Sequence, residues 1–201
     1  DLDDLARVKL TVAKALAPGG LLVLNADDPM LVRHAASTNA SRIGWFALEH
    51  ADAQARGAIV YGVSDGHVML SADGSEHNLG DITAMPLTIG GAARYNIANI
   101  AAATLAAFAL GIAPATISSV LARFGASNAD NPGRLQRWTL GDVEVLLDYA
   151  HNPDGLRGLL DVAQGLRRGG RMALLLGHAG NRLDADFHAL AAVAAAAQPE
   201  R

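Results

Sequence analysis

The part of the chain richest in reactive side chains is the stretch 146–155, where a carboxylate, a histidine and an amide (Asp148, His151 and Asn152) fall within five residues. The apolar run Val143–Leu147 predicts a buried strand that ends at Asp148, and Pro153 predicts the first turn of a following helix. Ligands of parallel α/β sheets bind beyond the carboxyl ends of the strands. We therefore predict a binding site at this turn. For Asp148 or Asn152 taken alone, the alternative is a helix cap.

The composition indicates a packed, soluble protein. Of 201 residues, 51% are hydrophobic and 18% are charged, and the formal net charge is -4. This charge gives no basic surface for nucleic acid, and the absence of cysteine excludes disulfides and thiolate metal sites. The longest apolar run, 100–113, is too short to span a membrane, and the acidic first residues are unlike a signal peptide. We expect a cytoplasmic protein with neither nucleic-acid nor membrane partners.

Strand and helix patterns alternate along most of the chain. Predicted strands cover residues 21–24, 43–46, 134–139, 143–147 and 172–176, and predicted helices cover residues 1–17, 29–37, 95–110, 114–124, 153–166 and 184–197. Such alternation predicts right-handed βαβ units on a parallel sheet.

One region has a different pattern. Short apolar runs at 59–61, 68–70 and 86–89 are separated by Asp65-Gly66 and Asp73-Gly74, dipeptides typical of tight hairpins. We predict a small antiparallel patch here. The most loop-like stretch, 127–133, predicts a domain boundary.

Four segments, in this order, resemble the Mur ligase family. They are Leu-Asn-Ala-Asp-Asp-Pro at 24–29, Tyr-Asn-Ile-Ala-Asn-Ile-Ala-Ala-Ala at 95–103, Asn-Pro-Gly-Arg at 131–134 and Asp-Tyr-Ala-His-Asn-Pro-Asp-Gly at 148–155. Members of this family are ATP-dependent amide ligases that convert a carboxylate to an acyl phosphate and pass the acyl group to an amine. Three further short segments, at 4–9, 86–91 and 180–187, resemble the Mur-ligase-like module of the cyanophycin synthetase subfamily.

The resemblance implies an α/β fold in two parts. Residues 1–128 would be the later half of a central P-loop-type ATPase domain, and residues 129–201 the earlier part of a Rossmann-like C-terminal domain. ATP and Mg²⁺ are the implied cofactors. The sequence contains no G-x-x-x-x-G-K-[ST] loop, and Lys9 and Lys14 are its only lysines. We therefore expect the phosphate loop and the metal ligands upstream of Asp1, and no activity from these residues alone.

Two asparagines are implied to contact the adenine of ATP. Asn96 and Asn99 are three residues apart, which places them on one face of a helix. A side-chain amide can both donate and accept a hydrogen bond, as the edge of a base requires. The alternative is a solvated polar face of that helix.

The later motifs are implied to bind the rest of the nucleotide. Arg134 would contact the phosphates as the catalytic residue, because a guanidinium can bind phosphate oxygens in a bidentate manner. Asp148 would accept hydrogen bonds from the ribose, and His151 and Asn152 would line the nucleotide. The alternative for Arg134 is a surface arginine at a strand end.

Arg182, Asp184 and Asp186 resemble the region that receives the incoming amino acid, although Asn181 stands where an aspartate is expected. The two carboxylates could bind a cationic side chain, or they could simply begin a helix, where the helix dipole favours acidic residues. Asp184 and His188 are spaced to share a metal, but no third ligand is apparent, so we predict no metal site.

Several functions remain open at this stage. The leading one is a segment of a carboxylate–amine ligase that binds ATP and an amino-acid or peptide substrate. A peptidoglycan-precursor or folylpolyglutamate-type Mur ligase and a non-catalytic α/β nucleotide-binding or interaction module are the alternatives. A Rossmann dehydrogenase is disfavoured because no G-x-G-x-x-G follows a strand. The amino acid accepted, and whether the complete protein is a homo-oligomer, stay undetermined.

Overall fold

The chain folds into two compact units. The computed structural model describes residues 2–177 and 183–200, and the units are Asp1–Phe124 (the N-terminal unit) and Gly125–Arg201 (the C-terminal unit). The division lies a few residues before the position expected from the loop at 127–133. Which family domain each unit represents stays a prediction. No helix in the described ranges is long and apolar enough to cross a lipid bilayer.

The N-terminal unit is built on a mixed five-stranded sheet. Its strands follow chain order across the sheet: β1 (Leu22–Asn25), β2 (Ile43–Glu49), β3 (Ile59–Ser64), β4 (His67–Ala72) and β5 (Ser75–Asp81). The pairs β1–β2 and β2–β3 are parallel, whereas β3–β4 and β4–β5 are antiparallel. The fold class is therefore mixed α/β.

Both antiparallel connections are two-residue Asp-Gly turns, as predicted. Asp65 and Gly66 have φ values of 49° and 75°, and Asp73 and Gly74 have values of 52° and 77°. Two consecutive residues with positive φ match the twist of the flanking strands, which is why this dipeptide favours hairpins.

Helices cover both faces of this sheet. They are α1 (Leu2–Leu10), α2 (Pro29–His34), α3 (His50–Gln54), α4 (Arg94–Ala109) and α5 (Pro114–Leu121). Successive residues of β3 point to opposite faces, so Val60 packs with α1–α3 and Tyr61 packs with α4 and α5. Burial on both faces is typical of the parallel part of an α/β sheet.

The C-terminal unit contains two strands and two helices in the described residues. These are β6 (Gln136–Leu140), β7 (Val143–Leu147), α6 (Pro153–Leu166) and α7 (Asp184–Ala196). β6 and β7 form an antiparallel ribbon. Leu156 and Leu160 of α6 pack against Leu190 of α7, with Met172 and Leu174 alongside.

Four features of the predicted pattern were wrong. The run 86–89 contains a 3-10 turn at Pro86–Thr88, and the third strand of the patch is the polar segment Ser75–Asp81. The predicted strand at 172–176 belongs to no sheet in the described residues, and its one backbone contact outside regular structure is the 2.9 Å hydrogen bond from the Glu200 N–H to the Met172 carbonyl. The strand Val143–Leu147 is not buried, because its end residues are 59% and 50% exposed. Its partner is antiparallel because residues 141–142 only allow a hairpin.

Candidate functional site

Asp148, at the end of β7, braces the turn that carries Arg134. Its Oδ2 atom accepts a hydrogen bond from the backbone N–H of Leu135 at 2.8 Å. The N–H of Tyr149 donates to the carbonyl of Gly133 at 3.0 Å. Leu135 is buried and has a φ of 45°, a left-handed conformation that is unfavourable for leucine. The carboxylate therefore helps to hold a strained turn, and it does not cap α6.

Arg134 projects an available positive charge from this turn. The residue is exposed, and its backbone N–H donates to the Asn131 carbonyl at 3.1 Å. Its Cζ atom lies 5.2 Å from the centroid of the Tyr149 ring. Within the described residues no carboxylate forms an ion pair with this guanidinium. Its donors are therefore free to bind an anion.

Tyr149 joins this cluster although its type and position had suggested no role. The residue is 52% exposed, and its ring lies beside the His151 ring, with 5.2 Å between centroids and an interplanar angle of 44°. His151 Nδ1 lies 3.2 Å from the Tyr149 carbonyl oxygen. The available signal was an aromatic residue directly after Asp148 and two positions before a histidine.

Asn152 caps α6. Its Oδ1 atom accepts a hydrogen bond from the N–H of Gly155 at 2.8 Å, and Pro153 occupies the first turn of the helix. This is the alternative role that the sequence had left open for Asn152. Within the described residues no hydrogen bond engages its side-chain NH₂ group.

The two asparagines of α4 differ in their surroundings. Asn96 is buried, donates from Nδ2 to the carbonyl of Leu87 at 2.9 Å, and accepts on Oδ1 from Asn99 Nδ2 at 3.4 Å. Asn99 is exposed. Asn96 thus anchors the 3-10 turn Pro86–Thr88 to the helix, and the expected contact of both asparagines with the adenine stays a prediction.

Polar residues after β1 serve the turn itself. Asn25 Oδ1 accepts from the N–H of Asp27 at 2.9 Å, and Asp27 Oδ2 accepts from the N–H of Leu48 at 2.8 Å. Asp28 caps α2 by accepting from the N–H groups of Met30 and Leu31. These side chains join the ends of β1 and β2 and begin the next helix.

The region predicted to receive the incoming amino acid lies only partly within the described residues. Arg182 lies outside the described residues. Asp184 and Asp186 are exposed in the first turn of α7, where Asp186 Oδ2 accepts from the N–H of Leu183 at 3.2 Å. The described ranges contain no group of three histidine, cysteine, aspartate or glutamate side chains placed to hold a metal ion.

A second arginine of the C-terminal unit provides a contrast with Arg134. Arg137, on β6, donates from Nε to Glu144 Oε2 at 2.5 Å. The hydrogen bonds from Arg137 and from Thr139 hold the pKa of Glu144 below its usual value. The charge of Arg137 is thus already paired across the ribbon, whereas that of Arg134 is not.

Comparison with known proteins finds relatives that are named as synthetases and ligases. Residues 133–199 match the model of the Mur ligase glutamate ligase domain. The chain is 33% identical over 199 residues to cyanophycin synthetase of Nostoc sp. (strain PCC 7120), an alignment that covers 96% of the chain and 22% of the relative. It is also 31% identical over 185 residues to the UDP-N-acetylmuramoyl-L-alanyl-D-glutamate–2,6-diaminopimelate ligase of Gloeobacter violaceus, covering 90% of the chain and 35% of that protein.

A solved structure shares the fold. The structure of a UDP-N-acetylmuramoyl-L-alanyl-D-glutamate–2,6-diaminopimelate ligase aligns with a TM-score of 0.55 and 20% identity, over 98% of this chain and 39% of that chain. The present chain spans about a fifth of the length of the cyanophycin synthetases it matches. The domain match, and the similarity of nearly the whole chain to these ligases, show that it belongs to the Mur ligase family.

Proposed function

We propose that these residues form part of an ATP-dependent carboxylate–amine ligase of the cyanophycin synthetase type. The reaction would activate a carboxylate as an acyl phosphate and transfer the acyl group to the amine of an amino acid. Within it, residues 1–128 would be the later half of the central ATPase domain and residues 129–201 the earlier part of the C-terminal domain. The order of the four motifs and the similarity to cyanophycin synthetases support this assignment.

The observation that carries the proposal is the unpaired guanidinium of Arg134. Planar guanidinium groups bind phosphate oxygens through two parallel hydrogen bonds. Arg134 is exposed on a turn that two hydrogen bonds attach to the Asp148 segment. Its guanidinium forms no ion pair within the described residues, in contrast to that of Arg137, which is paired with Glu144. We assign Arg134 to the phosphates of ATP.

Asp148 has a second oxygen for the ribose. A carboxylate has about four acceptor positions, and the Leu135 amide uses one of them. In the proposed complex Oδ1 accepts from a ribose hydroxyl while Oδ2 keeps its bond to the turn. His151 and the free NH₂ group of Asn152 line the same side of the nucleotide.

The adenine contact falls mainly to Asn99. Its amide is exposed, whereas the Asn96 amide already has a partner on each side. In the proposed site Asn96 orients Asn99 through their mutual hydrogen bond, and Asn99 carries the contact with the base edge.

Mg²⁺ would neutralise phosphate charge when bound with ATP. The described residues include no set of three carboxylate or histidine ligands that fits a protein-held ion. We assign no metal ligand among the described residues.

The incoming amino acid is assigned to Arg182, Asp184 and Asp186. The carboxylate of Asp184 has no hydrogen-bond partner within the described part of the chain. It is therefore suited to a cationic group, whereas Asp186 is partly engaged by the Leu183 amide.

The test uses the protein as its gene encodes it. We expect phosphate release from ATP that requires both a carboxylate substrate and an amino acid. Arg134→Ala should lower kcat by about 10²-fold or more while the KM for ATP changes little, because a guanidinium aimed at the phosphates mainly stabilises the charge that develops in the transition state. Arg134→Lys keeps the charge but loses the planar fork, so kcat should still fall by roughly tenfold.

Arg137→Ala is the matched control, since it removes an exposed, already paired arginine from the same unit. Its kcat should stay within about twofold of the wild-type value. Wild-type kcat in Arg134→Ala would show that Arg134 is an ordinary surface arginine and would overturn its assignment.

One observation favours a second candidate, a non-catalytic nucleotide-binding or interaction module. The Asn96 amide is satisfied inside the protein, as it would be in a scaffold without nucleotide chemistry. ATP binding without substrate-dependent phosphate release would support this candidate over the ligase.

A further inference from the structure

To bind a phosphate, the Arg134 guanidinium must be oriented by a group that leaves its N–H donors unoccupied. Its side chain is long and flexible, it extends from an exposed turn, and no ion pair fixes it within the described residues. A neighbouring carboxylate would fix the guanidinium but would also occupy the donors that a phosphate must use. The face of an aromatic ring attracts the cation without using those donors.

The Tyr149 ring is placed to do this. Its centroid is 5.2 Å from Arg134 Cζ, within the range in which a cation and a ring face attract each other. Tyr149 as a residue is 52% exposed, so burial in the core does not explain its position.

The two side chains also belong to segments that are joined directly. The Tyr149 N–H donates to the Gly133 carbonyl, and the Asp148 carboxylate accepts from the Leu135 N–H. These bonds lie on either side of Arg134 in the chain. The His151 ring lies beside the Tyr149 ring, with 5.2 Å between their centroids.

We infer that Tyr149 is a positioning residue, whose ring holds the Arg134 guanidinium ready for a phosphate without neutralising it. The inference rests on the proposed function of Arg134. It adds a residue that acts through Arg134, and it requires only the ring face of the tyrosine. Its hydroxyl is not needed, so phenylalanine should replace it.

The first experiment tests the contact itself on the 201-residue chain. NMR signals of the Arg134 side chain should be shifted upfield by the ring current of Tyr149. Tyr149→Phe should keep this shift and Tyr149→Leu should abolish it. Circular dichroism would verify the fold, which an exposed position should preserve. An unshifted Arg134 signal in the wild-type chain would overturn the inference.

The second experiment measures kcat and the KM for ATP in the protein as its gene encodes it. Tyr149→Leu should lower kcat by roughly 2- to 30-fold, the range that corresponds to exposed and to desolvated cation–π pairs, with KM within about twofold. Tyr149→Phe should restore most of the wild-type kcat. Trp138→Leu, the same kind of change at a 37% exposed residue of β6, is the control and should leave kcat within about twofold of wild type.

A double-mutant cycle separates positioning from a general structural effect. In an Arg134→Ala background, Tyr149→Leu should have no further effect on kcat, because the residue acts only through the guanidinium. Additive losses would overturn the inference. A wild-type protein with no ATP-dependent turnover would refute the proposed function, and the catalytic part of this inference with it, while the ring-current measurement would still decide whether the contact exists.

Discussion

Replacing Asp148 by alanine should destabilise the C-terminal unit. The change removes the acceptor of the 2.8 Å hydrogen bond from the Leu135 N–H. Leu135 is only 8% exposed and has a left-handed backbone with a φ of 45°. In Asp148→Ala the amide of a mostly buried residue loses its partner, and the turn loses a contact that maintains its unfavourable conformation.

The magnitude follows from two opposing effects. A hydrogen bond to a charged acceptor contributes about 1.5–3 kcal/mol to stability. The left-handed conformation of a non-glycine residue costs about 1–2 kcal/mol, part of which is recovered if the freed turn relaxes. Asp148 is also half-buried, which favours the lower end of the range. We expect Asp148→Ala to lower the free energy of unfolding by about 1 kcal/mol, and Asp148→Asn, which keeps an acceptor oxygen, to lower it by about half as much.

Urea unfolding monitored by tryptophan fluorescence measures this effect. Trp45 lies in the N-terminal unit and Trp138 in the C-terminal unit, and they are the only tryptophans. A Trp45→Phe background therefore reports on the C-terminal unit through Trp138. Asp142→Ala is the matched control, because Asp142 lies in the exposed turn between β6 and β7 and should change stability by less than about 0.5 kcal/mol.

The same variants separate the bracing role from ribose binding. If Oδ1 also binds ribose, Asp148→Asn should raise the KM for ATP by several-fold although it keeps most of the stability. An unfolding midpoint of Asp148→Ala equal to that of wild type would refute the bracing role. In that case the contact with Leu135 would contribute nothing beyond what water provides.

Four further outcomes are expected. Gly62→Ala should destabilise the N-terminal unit by at least about 3 kcal/mol in urea unfolding, because an added Cβ would lie 2.3 Å from the Cα of His50; a stable Gly62→Ala would contradict this packing. Asp28→Ala should cost about 1 kcal/mol in the same assay through loss of the α2 cap, and Asp28→Asn should retain most of it. The hydrogen bond from His34 lowers the pKa of Asp3, so this contact should stabilise the fold above the unfolded-state pKa near 3.8 and be lost as the pH falls through the lower folded-state value; Asp3→Asn should reduce that acid dependence in a pH series of unfolding midpoints. The 201-residue chain alone should release no phosphate from ATP in a phosphate assay, because its sequence has no phosphate loop.

Local signals were sufficient for much of the fold. The Asp-Gly turns, the Asp28 cap and the bounds of α6 follow from residues within a few positions of each other, and they were predicted correctly. Strands that depend on distant partners were less predictable. β5 has the polar sequence Ser75–Asp81 and is a strand because β4 pairs with it. Residues 172–176 have a strand-like apolar sequence but lack such a partner in the described structure.

The same distinction applies to the candidate site. The spacing of the motif identified Asp148, His151 and Asn152 as neighbours, because they share one turn. The contacts of Asp148 with Leu135 and of Tyr149 with Arg134 join residues more than ten positions apart. Hydrophobic periodicity and motif spacing report only on residues close together in the sequence, so they do not predict such contacts. For this reason the sequence indicated no role for Tyr149.

Asp148 and Asn96 share a feature that bears on how the site works. Each is predicted to contact a ligand, and each uses one polar group in a hydrogen bond to the backbone of another segment. The carboxylate of Asp148 has a second oxygen that can bind a ligand. The Oδ1 atom of Asn96 accepts a hydrogen bond from Nδ2 of the exposed Asn99 and so helps to orient that side chain. A side chain fixed by one contact loses little further freedom when it binds a ligand through another, so it positions that ligand better than a free side chain would. Holding the turn and binding a ligand are therefore compatible roles for one side chain. The unfolding free energies and the KM values for ATP of Asp148→Asn and Asp148→Ala measure how much the carboxylate contributes to each role.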